Sequence, residues 1–219
     1  MHTIYAIVTG PLVWAAFIVF IGGSLYRLIN MIVLAYRTEE FIFTYISLKY
    51  SLRSIIHWMT PFATVNMRKH PILTIVSFAF HICLLLVPIF LLSHIILWDE
   101  SWNLSWLSLP DPAADIMTMV VIGGCVFFMI RRITRKEVKY VTSASDYVLL
   151  AIVAAPFVTG FIAYHQWFYY QLFAILHILT AEVMLIAIPF TRLSHMIFSL
   201  FTRAYMGSEF GGIRHARDW

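Results

Sequence analysis

Five long runs of apolar residues, separated by short polar segments, dominate the pattern of the chain. A helix that crosses the hydrocarbon core of a bilayer needs about 20 mostly apolar residues. The runs therefore predict an all-α membrane protein with five transmembrane helices, organised as one domain over residues 1–219. We expect the first helix to continue beyond Arg27. The predicted spans cover about 4–26, 71–97, 116–130, 147–164 and 168–201.

The composition agrees with this pattern. Apolar residues make up 61% of the chain and charged residues 12%, whereas a soluble domain has about 45–50% and about 25%. Too few charges remain to cover a surface that faces water. A cytosolic enzyme, a disordered chain and a nucleic-acid-binding protein are therefore disfavoured. The cysteines, Cys83 and Cys125, lie inside apolar runs and form no CxxC or CxxCH motif.

Positive charge is confined to one side of the predicted spans. All 15 lysines and arginines fall in residues 27–70, in the loop 131–145, or from the end of the fifth span onward. The loop 98–115 instead holds acidic residues and tryptophans. Because lysine and arginine are retained on the cytoplasmic side of a membrane, the N-terminus is predicted to lie outside and the C-terminus in the cytoplasm.

The segment 41–65 is aromatic and apolar but is interrupted by Lys49 and Arg53. One interpretation is a helix that lies in the cytoplasmic interface of the membrane, in contact with lipid. The other is a loop packed beneath a partner subunit. The sequence leaves both interpretations open.

Four of the nine histidines lie within predicted spans, namely His81, His94, His177 and His195. Ionisable side chains are costly inside a membrane and mark functional sites. His177 and His195 are 18 residues apart, which is about five whole turns of a continuous helix, so both should face one direction with a rise of about 27 Å between them. Two histidines on one face at two depths indicate two stacked sites.

Each site needs a partner histidine on another helix. The second and fifth spans are predicted to be antiparallel, so His81 should meet His195 near the inner leaflet. His94 should likewise meet His177 near the outer leaflet. Two imidazoles that face each other are the usual ligands of a haem b held without covalent bonds, and an iron with both axial positions filled is suited to electron transfer. The sequence therefore predicts two bis-histidine haems b.

The second span fits this geometry less regularly than the fifth. His81 and His94 are separated by 13 residues, or about 220° around an ideal helix. His70 and His81 are separated by 11 residues, or about 20°, but His70 lies among basic residues at the cytoplasmic surface. We therefore prefer His94 as the ligand and expect Pro88 to rotate the outer half of this helix.

Two further residues are candidates for function. Glu182 lies inside the fifth span and is suited to accept a proton from a menaquinol, to balance the charge of a haem, or to pair with a nearby hydroxyl. Arg192 either neutralises a haem propionate or marks the inner boundary of the membrane. A haem-free transporter of protons or metal ions remains an alternative function, although the internal repeats of many transporters are absent from this sequence.

The stretch from His177 to His195 resembles the last span of the gamma subunit of respiratory nitrate reductase. In that family a histidine and a long apolar run precede Pro-Phe-Ser/Thr-Arg-Leu and a second histidine, as they do here. Phe80-His81-Ile82 resembles the second-span haem ligand of the family, and His94 falls where the next ligand is expected. Ile21-Gly22-Gly23-Ser24 resembles the end of its first span. The likeness covers nearly the whole chain.

This resemblance implies an electron-transfer subunit of a respiratory oxidoreductase, a dihaem cytochrome b in the inner membrane of a bacterium or archaeon. It implies a cytoplasmic iron–sulfur subunit as partner. The compact chain looks more like the cytochrome b subunits of sulfate reducers, which lie between periplasmic multihaem cytochromes c and heterodisulfide-reductase-like iron–sulfur proteins. Glu182 and the absence of lysine from the outer loops depart from the nitrate reductase pattern, so the outer partner, cytochrome c or quinone, stays open.

Overall fold

The computed structural model describes residues 2–38 and 41–217, and these parts of the chain contain helices but no β-strand. In chain order the α-helices are α1 (His2–Ile7), α2 (Val13–Thr38), α3 (Ile42–Tyr45), α4 (Leu48–Met59), α5 (Val65–Lys69), α6 (Pro71–Phe90), α7 (Leu92–Trp102), α8 (Asp111–Thr134), α9 (Lys136–Tyr140), α10 (Ala144–Tyr164), α11 (Tyr170–Phe190) and α12 (His195–Met206). Two π-helical segments, Val8–Leu12 and Gly207–Ile213, and a 3-10 turn, Arg192–Ser194, complete the helical path.

Five stretches of helix in the described residues are long and apolar enough to cross a membrane: Thr3–Thr38, Pro71–Phe90, Asp111–Thr134, Ala144–Tyr164 and Tyr170–Phe190. The chain is therefore a multi-pass membrane protein with an all-helical fold, as the hydrophobic pattern predicts. The first stretch reaches Thr38, which confirms the predicted continuation past Arg27. The third begins before the predicted residue 116, because Asp111 and Pro112 favour a first helical turn.

The second predicted span, 71–97, consists of two helices rather than one. α6 ends at Phe90, Leu91 has an extended backbone (φ −71°, ψ 127°), and α7 begins at Leu92. Pro88 lies in the last turn of α6, where it removes one N–H donor from the helical ladder. The span in which the sequence predicts a rotation at Pro88 is therefore broken at Leu91.

The fifth predicted span, 168–201, is also interrupted. α11 ends at Phe190, and Thr191 is extended (φ −124°, ψ −173°) and caps the following 3-10 turn with its hydroxyl. His177 lies in α11, whereas His195 begins α12. The expectation that these two histidines share one face of a single helix is therefore wrong, because an extended residue separates the two helices.

The chain divides into two compact units, although the sequence predicts a single domain. The first unit comprises Met1–Thr74 together with Glu182–Trp219, and the second comprises Ile75–Ala181. In the second unit α8 packs against α10. Gly124 on α8 leaves room for the ring of Phe80 on α6, because a Cβ at this glycine would lie 2.7 Å from that ring.

In the first unit α4 packs against α12 and the π-helical segment Gly207–Ile213. The buried face of α4 is made of small residues: Ser54 is 0% exposed, and Ser51 donates a hydrogen bond to the carbonyl of Ala204 at 3.1 Å. The segment 41–65 is thus largely helical. Apolar side chains of α4 lie on the surface, namely Leu48, Leu52, Ile56 and Met59.

Candidate functional site

His94 and His177 lie next to each other in the second unit. Their ring centroids are 5.9 Å apart, and the ring planes differ by only 11°. Both side chains are half-buried. Two imidazoles on opposite sides of one metal ion have ring centroids about 6 Å apart, given metal–nitrogen bonds of about 2.0 Å. The structure thus brings this predicted pair together at a separation that is compatible with a shared metal ion.

The break between α6 and α7 positions His94. The last carbonyl groups of a helix lack partners within the helix, and three consecutive carbonyls at the end of α6 accept from donors that follow the break. The donors are His94 Nδ1 to the carbonyl of Pro88 (2.9 Å), Trp106 Nε1 to that of Ile89 (2.9 Å) and the N–H of Leu109 to that of Phe90 (2.8 Å). Because a carbonyl can only accept, Nδ1 of His94 carries the proton and Nε2 carries the lone pair.

The backbone of α10 positions His177. Its Nδ1 donates a hydrogen bond to the carbonyl of Pro156 at 2.8 Å. Gly160, one turn later on α10, allows this approach, because a Cβ there would lie 2.7 Å from Nδ1 of His177. The hydroxyls of Thr159 and Thr180 are 3.2 Å apart and join the same two helices. The ring of His177 is therefore held against α10 with its lone pair on Nε2.

His81 and His195 show the same local arrangement. Nδ1 of His81 bonds the carbonyl of Ser77 at 2.7 Å, and Nδ1 of His195 bonds that of Arg192 at 2.8 Å. Both side chains are exposed on the surface of the chain. His81 belongs to the second unit and His195 to the first, and their pairing stays a prediction. All four histidines thus present Nε2 as the basic nitrogen, and a backbone carbonyl fixes each tautomer.

The other predicted candidates lie in different surroundings. Arg192 is exposed in the 3-10 turn directly before His195. His70 is exposed just before α6 begins, and its carbonyl accepts from Thr74 Oγ1 at 3.0 Å. Glu182 is 4% exposed in α11, and neither of its carboxylate oxygens accepts a hydrogen bond from the described residues. An ionised carboxylate in such a position is costly unless a partner or a proton neutralises it.

The sequence did not identify a polar cluster beside the His94–His177 pair. Nε2 of His165 lies 3.2 Å from Oδ1 of Asp115, and the ring of His165 stacks on Trp167 with centroids 5.5 Å apart. A small cavity next to this cluster is lined by Asp115 and Gly160, among others. The interaction joins α8 to the residue that follows α10, and such a tertiary contact leaves no periodic signal in the sequence.

Among the described residues no group of three or more His, Cys, Asp or Glu side chains is placed to hold a metal ion. The histidine arrangement therefore provides two protein ligands at most where His94 meets His177. Tetrahedral structural zinc requires four ligands, whereas haem iron requires only two from the protein, because the porphyrin supplies the other four.

Comparisons with known proteins give one full-length match. A protein of Nitratidesulfovibrio vulgaris (strain Hildenborough) is 38% identical over 210 residues, which cover 94% of this chain and 93% of that protein. No family model matches the chain, and no solved structure matches it.

Proposed function

We propose that the chain, which belongs to the same family as the Nitratidesulfovibrio vulgaris protein, is the dihaem cytochrome b subunit of a respiratory membrane complex. The observation that carries this proposal is the His94–His177 pair, with nearly parallel rings whose centroids are 5.9 Å apart. Each ring donates through Nδ1 to a carbonyl and so has Nε2 available as a ligand atom for iron. The resemblance to the nitrate reductase gamma subunit supports the same function.

The residues of this pair fit a haem b better than a bare metal ion. Two neutral imidazoles complete the coordination of a porphyrin iron, and no third ligand group accompanies them in the described residues. When bound, the haem supplies a reversible one-electron couple. The chain itself orients the two rings through the carbonyls of Pro88 and Pro156.

His81 and His195 would hold the second haem b. Each has its Nδ1 on a carbonyl close in sequence, as the first pair does. Arg192, three residues before His195, is exposed and suited to pair with a haem propionate. With His94 and His177 near the outer leaflet and this pair near the inner leaflet, the two haems would carry electrons across the membrane.

The charge distribution supports an orientation and a set of partners. With all 15 lysines and arginines on one side, the N-terminus would lie outside and the C-terminus in the cytoplasm of a bacterium or archaeon. The basic cytoplasmic surface suits a heterodisulfide-reductase-like iron–sulfur subunit. On the outer side Trp98 lies 4.5 Å from Trp102 and 6.0 Å from Trp106 between ring centroids, beside the acidic Asp99 and Glu100. This surface suits a basic multihaem cytochrome c.

A menaquinone site is the alternative outer partner, and Glu182 supports it. A buried carboxylate with no hydrogen-bond partner in the described residues is suited to receive a proton from a menaquinol. If the site exists, a menaquinol analogue reduces the haems of the native protein, and Glu182→Gln abolishes this reduction but not reduction by dithionite. Equal reduction of both proteins by the analogue would contradict the role of Glu182, whereas no reduction of the native protein would favour cytochrome c as the outer partner.

The dihaem proposal is tested by haem content. We expect about two haems b per chain in a pyridine haemochrome assay of the purified protein, and about one in His94→Ala and in His177→Ala. His215→Ala, in the exposed tail, is the matched control and should retain two. His70→Ala should also retain two, since His70 lies outside the pair. A colourless native protein would contradict the proposal and favour the haem-free transporter.

A further inference from the structure

Gly160 makes an unusually close approach to the ring of His177. A Cβ built on Gly160 would lie 2.7 Å from Nδ1 and 2.8 Å from Cε1 of that ring, and its three nearest heavy atoms all belong to His177. Carbon atoms in normal contact lie about 3.5–4.0 Å apart. No glycine in the described chain has a positive φ, so the backbone of α10 does not itself need glycine here. The closest atoms that a side chain at Gly160 would meet therefore belong to the imidazole of His177.

The same ring is fixed by a hydrogen bond on the same face of α10. Nδ1 of His177 donates to the carbonyl of Pro156 at 2.8 Å, four residues before Gly160, and residues at this spacing are neighbours on a helix surface. The carbonyl holds Nδ1, and the absence of a side chain at Gly160 lets the Nδ1–Cε1 edge of the ring approach the helix. Rotation of the ring about its Cβ–Cγ bond would break the hydrogen bond.

We infer that Gly160 is a positioning residue that sets the ring plane of His177 and so keeps it nearly parallel to the ring of His94. The inference rests on the proposed function, because the two rings would be the axial ligands of the outer haem. In low-spin ferric haem the angle between the two axial imidazole planes governs the splitting of the iron d orbitals. Parallel planes give a rhombic electron paramagnetic resonance spectrum, and perpendicular planes give a strongly axial one.

Gly160→Ala tests this role. The native protein should show a rhombic low-spin signal that disappears in His177→Ala and so belongs to the outer haem. In Gly160→Ala we expect this signal to be lost, either replaced by a strongly axial signal or missing along with the outer haem, while the signal of the inner haem is unchanged. Gly123→Ala, where an added Cβ meets nothing within 4 Å, is the matched control and should match the native spectrum.

The outcomes separate the two proposals. A native protein without haem contradicts the proposed function, whereas an unaltered rhombic signal in Gly160→Ala overturns the positioning role alone. If Gly160→Ala does not fold, the double variant Gly160→Ala with His177→Ala decides the matter. Removal of the ring should relieve the clash and restore expression with one haem per chain. Failure of the double variant to fold would show that the glycine serves some contact other than His177 and would overturn the inference.

Discussion

The indole Nε1 of Trp106 donates a hydrogen bond to the carbonyl oxygen of Ile89, 2.9 Å away, across the break between α6 and α7. The adjacent carbonyl, that of Pro88, accepts from His94. We expect Trp106→Phe to destabilise the protein by about 1 kcal/mol, because a hydrogen bond is lost at a helix end that cannot satisfy itself. Thermal unfolding in detergent measures the change. Trp98→Phe, with a similar exposure of 37% against 39%, is the control, and an equal loss in both would contradict the role of this bond.

Replacement of Glu182 by an apolar residue should stabilise the folded protein. Since neither carboxylate oxygen has a hydrogen-bond partner in the described residues, Glu182→Met removes a desolvation cost of about 1–3 kcal/mol at similar volume. The unfolding temperature of the purified protein should rise. Glu137→Met, on an exposed position of α9, should leave it nearly unchanged. A fall in the Glu182 variant would instead indicate a polar ligand or subunit that pairs with the carboxylate in the purified protein.

Asp146 joins the beginning of α10 to the end of α8. It accepts from the N–H of Ser143 at 2.8 Å and lies 3.8 Å from Nη1 of Arg132. We expect Asp146→Asn to cost about 1–2 kcal/mol, since it weakens both the helix cap and the charge pair. Chemical denaturation of the reconstituted protein measures the loss, with Glu137→Gln as the control for removal of an exposed carboxylate. No loss would mean that other contacts hold the two helix ends.

Addition of a single methyl group at Gly207 should strongly disturb the packing of the C-terminal segment on α4. A Cβ there would lie 2.5 Å from Cβ of Ser54 and 2.6 Å from the carbonyl oxygen of Tyr50. Gly207→Ala should therefore separate α4 from the C-terminal segment and cost about 1–3 kcal/mol. Protease sensitivity of residues 41–65 reports the separation. Gly22→Ala, where nothing lies within 4 Å, should leave the cleavage pattern as in the native protein.

Glu209 should make the C-terminal segment sensitive to acid. A hydrogen bond from Tyr205, and next the charge of Arg214, lower the pKa of Glu209 in the folded chain. A lowered folded-state pKa stabilises the fold above the unfolded value of about 4.3, and this contribution is lost as the pH falls through the folded pKa. Hydrogen exchange at residues 207–213 should therefore accelerate below about pH 4 relative to Glu209→Gln. Parallel profiles for the two proteins would contradict the prediction.

Hydropathy alone could predict the five spanning helices, because about 20 apolar residues in a row have few other stable structures in a bilayer. The meeting of His94 with His177 could also be predicted. The second and fifth predicted spans run in opposite directions, so the end of the second span and the beginning of the fifth lie on the same side of the membrane. The interruptions at Leu91 and Thr191 could not, because proline inside a spanning helix is compatible with a kink as well as a break.

The residues that fix the orientation of the histidine rings could likewise not be predicted from the sequence. Gly160 matters because of a ring on another helix, and a glycine in a spanning segment is common enough to carry no signal by itself. The buried serine face of α4 shows the same limit: Ser51 and Ser54 read as polar positions, yet they pack inward while leucine and isoleucine lie outward. Only the packed neighbours reveal which face of such a helix is covered.

The extended backbone of Thr191 ends the helical path between α11 and the turn that leads into α12. Since no continuous helix links His177 to His195, the orientation of one imidazole about its helix axis does not determine that of the other. Under the proposed function, a substitution in α12 would therefore change the ligand of one haem and leave the ligand of the other in place.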